Sequence, residues 1–330
     1  MHSNTEALSS DQPEHLIRAA ALLKQGKLVA IPTETVYGLA ANGLSAAAVK
    51  RIFTAKGRPA DNPIILHVAS IEAAIPLWKA TLQQLEIATS LADAFWPGPL
   101  SIVLKADSSV PGVVTAGLDS VAVRAPAGAA VQSVLRHCGF PLAAPSANLS
   151  GRPSPTCAIH VERTLGGRIA AILDGGRTTV GIESTVIDLR SDRPQLLRPG
   201  TISANDLRSI VGDLWASQAP TGAASPGLRH RHYQPIGITI KLANREIIKT
   251  HWESAAGIAC GQDLALEMGE RLAPTWIMPD NPRSYASILY DQLYAMERSK
   301  VSEVFLERPP RTEIWQAVND RLTRAAEAAV

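Results

Sequence analysis

The chain lacks the common signatures of nucleotide and metal chemistry. No GxxxxGK[ST] loop and no GxGxxG occurs in its 330 residues, so neither standard phosphate cradle is present. HExxH, CxxC and GxSxG are also absent, which removes zincin, paired-thiol and α/β-hydrolase readings. The three cysteines, Cys138, Cys157 and Cys260, stand at no recognisable spacing, arguing against a disulfide framework or zinc site and fitting a reducing compartment. Excess charge is missing too: a net +2 is too mild to argue nucleic-acid binding from bulk charge. No apolar run is long enough to span a bilayer, and the opening MHSNTEALSSDQPEHL has no signal-type hydrophobic stretch. These features predict a soluble cytoplasmic protein with no membrane partner and a frayed start over residues 1–12.

With 46% apolar and 19% charged residues, the chain has material for two real cores. EHLIRAAALLKQ at 14–25 carries a helical apolar pattern that stops at Gly26. Further helices are expected near 45–56, 83–95, 127–138, 155–166 and 203–212. Strands are expected at LVAIPT, PIILHVA, LSIVLKA, VAVRAP, PLAAPSA, AAILDGG, STVIDLR and QLLRPG. The runs 184–190 and 194–199 are close enough only for a hairpin, so the sheet must be mixed. Residues 213–235 are rich in Ala, Gly, Ser and Pro and end in a basic cluster, reading as a linker or functional loop. Beyond them, strands at 236–242, 255–261, 274–279 and 301–307 with helices at 282–298 and 312–328 make a second, smaller α/β unit. The expected domains are therefore 1–212, a linker or lid at 213–235, and 236–330.

Two stretches carry most of the chemistry. KGRPADNP at 56–63 places Lys56 and Arg58 one residue apart with Asn62 beyond, in a segment its prolines predict to be extended. APSANLSG at 144–151 places Ser146 and Asn148 one residue apart at the end of an apolar strand. In extended chain such pairs share a face, and two cations beside hydroxyl and amide groups suit a polyanion such as a phosphate chain. PTETVYGLAANG at 32–43 adds Thr33, Thr35 and Tyr37 as hydroxyls for a small polar ligand, or as satisfiers of a local turn. Arg124 ends another apolar strand and is costly to bury without a carboxylate or an anionic ligand. His67, in an apolar strand, reads more readily as a core histidine. Tyr233 closes the basic cluster and would either stack on a base or anchor packing.

Taken together, PTETVYGL, KGRP-DNP, FWPGPLS, VAVRAP, APSANLSG, DGG, ESTVID and LRPG, in that order, resemble the YrdC-type threonylcarbamoyl-AMP synthases. SPGLRHRHYQP resembles the linker that marks the longer, two-domain form, with Leu228 and Arg229 as mild departures. The resemblance implies a YrdC-like twisted mixed sheet with flanking helices, plus a smaller C-terminal α/β domain. It implies a nucleotidyltransferase that makes threonylcarbamoyl-AMP and pyrophosphate from L-threonine, bicarbonate and ATP, the product passing to a separate tRNA-modifying transferase. By the same resemblance, Thr35, His67, Arg124, the Ala144 backbone and Ser184 would hold threonine. Arg58, Asn62, Ser120, Ser146, Asn148, Ser154, Arg198 and Tyr233 would contact ATP, with Lys56 over the phosphates and Lys56 and Arg58 catalytic. Magnesium would come with ATP, and no protein-ligated metal is expected. The rival from another class is an RNA-binding module using the same basic groove, which would bind weakly and salt-dependently without threonine. A carbamoyltransferase is the other alternative, although the zinc-finger and acylphosphatase-like modules of such enzymes are missing here.

Overall fold

The structure, a computed structural model, describes residues 5–216 and 233–326. They fall into two compact units, each described by itself: one holds 5–150, 154–179 and 183–216, the other 151–153, 180–182 and 233–326.

The first unit is built on eleven strands. In chain order they are β1 Glu6–Ser9, β2 Val29–Ile31, β3 Gly38–Asn42, β4 Leu66–His67, β5 Leu100–Lys105, β6 Ser120–Arg124, β7 Leu142–Ala143, β8 Ala171–Asp174, β9 Thr185–Asp188, β10 Gln195–Arg198 and β11 Trp215–Ala216. Their order across the sheet is β1-β8-β2-β3-β7-β4-β6-β5-β9-β10-β11. The sheet is mixed as expected: β4 runs parallel to β6, β6 antiparallel to β5, and β9 and β10 form the predicted hairpin. β6 lies near the middle, and all five of its residues are buried. Helices Pro13–Lys24 and Ala129–Cys138 close one face over Leu22, Leu23, Val131 and Leu142. Helices Ala46–Lys56, Leu82–Phe95 and Ala204–Val211 close the other over Ile52, Leu66, Leu91, Ile102 and Leu207. Burying both faces explains why the strands read as continuous apolar runs.

Three local expectations are corrected. The start is not frayed throughout, because β1 pairs with β8 and Leu8 is 3% exposed in the core. KGRPADNP is not extended. Helix Ala46–Lys56, capped by the Ser45 hydroxyl on the Ala48 N–H, runs on to Lys56 and stops where Gly57 takes φ +58°. That left-handed turn suits glycine, and it leaves Lys56 on the buried helical stripe with Ile52 while Arg58 lies past the bend. Tyr37 is not a ligand hydroxyl: it is fully buried, and its OH donates to Gly176 O at 2.7 Å. The expected linker begins with the short strand β11, and residues 217–232 of it lie outside the described residues.

The second unit has β12 Thr239–Ala243, β13 Ile258–Gly261, β14 Thr275–Met278 and β15 Glu303–Glu307, all parallel in the order β12-β15-β13-β14. Its long helix Pro282–Ser299 starts at Asn281, whose side chain accepts from Ser284 N. Tyr233 is 4% exposed in this unit, its ring 5.1 Å from that of Tyr290, so packing is the role it shows. Among the described residues, no helix is long and apolar enough to cross a membrane.

Candidate active site

Arg124 is the organising residue. It ends β6, is 3% exposed, and spreads its guanidinium over three oxygen groups. Its Nε donates to Gly98 O at 3.1 Å, its Nη1 donates to Thr35 Oγ1 at 2.9 Å, and its Nη2 lies 2.5 Å from Glu34 Oε1. Gly98 sits in the turn of FWPGPLS, and only glycine fits there: a Cβ would stand 2.3 Å from Phe95 O. The Gly98 N–H in turn donates to Ala125 O, so the carbonyl that aims Arg124 is itself fixed.

The hydroxyls beside Arg124 form a directed chain. Thr33 Oγ1 donates to Val36 O at 2.6 Å, which commits its one proton. The 2.9 Å contact between Thr33 and Thr35 must then be donated by Thr35, leaving Thr35 Oγ1 to accept from Arg124. Thr35 is 1% exposed, and the turn is closed further by Thr33 Oγ1 accepting from the Thr35 and Val36 N–H groups.

His67 stands beside Arg124, because β4 and β6 pair in parallel with His67 opposite Arg124. It is 4% exposed, and burial together with the neighbouring guanidinium pushes its pKa down to about 3. The imidazole is therefore neutral across the physiological range, able to donate from one nitrogen and accept at the other. Ala144 follows β7 and its N–H donates to Ile65 O. On the other side of Arg124, Thr185 N donates to Pro99 O, which brings the start of β9 to the Gly98 turn. There Ser184 Oγ meets Ser101 Oγ at 2.8 Å and accepts from Arg198 Nη2 at 3.1 Å, while Arg198 Nε donates to Ser184 O. Ser184 and Arg198 are 1% and 4% exposed.

The Ser-x-Asn segment bridges to the same region. Ser146 makes an isolated bridge with Gly38, and Ala147 N donates to Tyr37 O. Lys56 is 2% exposed and its Nζ donates to both Ser146 O and Asn148 O. Burial and, next, the Arg58 charge push the lysine pKa well below its usual value, while the two acceptors hold its hydrogens in place. Lys56 thus clamps the backbone of the very loop whose side chains were expected to face the nucleotide. Arg58 turns back on its own loop, donating to Asn62 O and Pro63 O. Ser154 is buried and donates to Glu183 Oε1 at 2.6 Å.

Ser120 opens β6 four residues before Arg124, on the same face and about 13 Å away at ~3.3 Å per residue. It is 2% exposed, and its Oγ has no hydrogen-bond partner among the described residues. Tyr233 belongs to the other unit and is described there.

The residues read from the sequence thus group as Thr35–Arg124–His67, Lys56 with the Ser146–Asn148 backbone, Ser184–Arg198, and Arg58–Asn62. Sequence reasoning passed over Glu34, Ser101 and Glu183, each inside a quoted motif. The available signal for Glu34 was that PTETVYG holds one carboxylate among its hydroxyls.

Comparison with known proteins identifies the family. The family model described as "Telomere recombination", which unites Sua5, YciO and YrdC proteins, matches residues 21–200. That of the "Threonylcarbamoyl-AMP synthase, C-terminal domain" matches 202–327. The threonylcarbamoyl-AMP synthase of Pyrococcus abyssi is 40% identical over 322 residues, covering 93% of both chains. That of Bacillus subtilis is 38% identical over 358 residues, covering 99% of this chain and 96% of its own. The crystal structure of P. abyssi Sua5 complexed with L-threonine superimposes with a TM-score of 0.87 at 39% identity, covering 98% of this chain and 97% of that one. The chain belongs to the two-domain threonylcarbamoyl-AMP synthase family.

Proposed function

We propose that the grouped residues divide the work of the family's reaction, in which L-threonine, bicarbonate and ATP give threonylcarbamoyl-AMP and pyrophosphate. Arg124, with Thr35, His67, the Ala144 backbone and Ser184, holds threonine. Arg124 takes its carboxylate, and neutral His67 suits its hydroxyl. The observation that carries this reading is a guanidinium 3% exposed at a strand end, aimed by a glycine carbonyl and ringed by hydroxyls. A relative solved with L-threonine supports it at 39% identity.

The nucleotide lies toward Arg58, Asn62, Ser120, Ser146, Asn148, Ser154 and Arg198. Attack on the α-phosphate with loss of pyrophosphate is served by charge and positioning rather than covalent catalysis. Lys56 contributes by fixing the Ser146–Asn148 loop, and Arg58 brings the cation nearest to solvent. Glu34 and Glu183 are engaged by Arg124 and Ser154. Magnesium fits as a companion of the ATP phosphates, where it would neutralise charge.

The product is a reactive mixed anhydride, passed to a separate tRNA-modifying transferase in the cytoplasm. The test is pyrophosphate release from ATP with bicarbonate, with and without L-threonine. Threonine-dependent release is the expected result. No release, accompanied by salt-sensitive RNA binding, would replace this reading with the binding-module alternative.

A further inference from the structure

The site as described contains cations and hydroxyls to hold the substrates but no assigned acceptor for the amine proton. An amino acid reaches the enzyme as an ammonium, and an ammonium has no lone pair with which to attack carbon. Some group must remove that proton at the place where the amine sits.

Glu34 occupies that place. It lies between Thr33 and Thr35 in the turn that meets Arg124, its side chain 9% exposed and its Oε1 against Arg124 Nη2. Yet neither of its carboxylate oxygens has a hydrogen-bond donor in proper geometry among the described residues. A buried carboxylate with unused lone pairs is uncommon, since burial without hydrogen bonds is costly. An α-amino acid carries its ammonium on the carbon next to its carboxylate. Anchoring that carboxylate on Arg124 brings the ammonium to the immediate surroundings of the guanidinium, where Glu34 waits. Among the described residues, the charged or titratable neighbours on the paired strands here are Arg124 itself, from β6, and His67, paired with it from β4. Both are ill suited to accept a proton, one being a permanent cation and the other holding its pKa near 3.

We infer that Glu34 is the general base of the carboxylation step, taking a proton from the threonine ammonium. This rests on the threonine-binding reading of Arg124. The ammonium and the Glu34 carboxylate become a neutral amine and a carboxylic acid. The amine nitrogen then bonds to the carbon of bicarbonate as the C–OH bond breaks, and its second proton leaves with that hydroxide as water. The product is the threonine carbamate, and Glu34 returns its proton to solvent before the next turnover.

The test compares wild type, Glu34→Gln and Glu34→Asp in threonine-dependent pyrophosphate release across pH 6.5–9.5, with ATP affinity and thermal melting as checks on folding. Glu34→Gln is expected to lose kcat by about a hundredfold or more at pH 7, within the usual range for a general base. Its deficit should shrink as pH rises, because threonine then arrives with its amine already free. Glu34→Asp, which keeps the carboxylate, should recover part of the rate at neutral pH. A Gln variant with wild-type rate at pH 7, or with the same loss at every pH, overturns the inference and leaves Glu34 as a holder of Arg124. Wild type without threonine-dependent release would instead overturn the functional reading and the inference with it. The two failures are therefore distinguishable.

Discussion

His67 makes the stability of the first unit depend on acidity in a calculable way. Its pKa is pushed down to about 3 by burial and by Arg124, against 6.5 for the free side chain. Between those values the unfolded chain binds a proton that the folded chain refuses, so stability is full above the unfolded value and falls as pH drops toward the folded one. Each pH unit in that window costs about 1.4 kcal/mol. From pH 7 to pH 5 the loss from this one group is therefore about 2 kcal/mol, small only because the window is entered at 6.5. Urea unfolding of wild type and His67→Asn at pH 7, 6 and 5 isolates it. The variant loses the buried ring at every pH, which lowers its absolute stability. Its decline between pH 7 and 5 should nonetheless be shallower than that of wild type by about 2 kcal/mol, the share that His67 alone supplies. Parallel declines would show that the imidazole accepts a proton in place, and that a neutral ring beside Arg124 is wrong.

Two substitutions separate the remaining parts. Arg124→Gln strips the buried Glu34 of its cation, and breaking such a pair from one side costs about 3–5 kcal/mol. Thermal melting should record that loss while calorimetry finds threonine binding abolished; restored stability without restored binding in the Glu34→Gln/Arg124→Gln double variant completes the cycle. Lys56→Met leaves the Ser146 and Asn148 carbonyls without their donor, at about 1–3 kcal/mol for each buried group, partly offset by no longer burying an amine that resists charge. Pyrophosphate release should fall with threonine affinity preserved, and equal loss of threonine binding would refute the assignment of Lys56 to the loop.

The mixed sheet was legible because its central strands, such as β5 and β6, are buried on two faces and so appear as unbroken apolar runs between turn formers. The β9–β10 hairpin followed from a spacing too short for anything else. What stayed hidden depends on contacts remote in sequence. Nothing in EALS at 6–9 announces a strand until its partner at 171–174 is present. The run from Lys56 to Arg58 looks like an alternating pair, yet a single left-handed glycine converts it into a helix end and a bend. Tyr37 stayed open between two readings for a related reason: a hydroxyl among hydroxyls gives no sign that Gly176, 139 residues on, will accept its proton. Of the site, the residue types were readable and their partners were not. One carboxylate beside Arg124 comes from the chain itself, that of Glu34, and the sequence did not single it out.

Strand β6 carries one further consequence, for how such a protein can change over generations. Ser120 and Arg124 stand at its two ends, and the strand is bonded on both sides, to β4 and to β5. Loops around it can lengthen or shorten without moving either end. Insertion or deletion of one residue between them would turn one of the two side chains to the opposite face and shift the spacing by a single rung. Drift in length is therefore open to the connections and closed to these five positions, which act as a fixed gauge for the distance between Ser120 and Arg124.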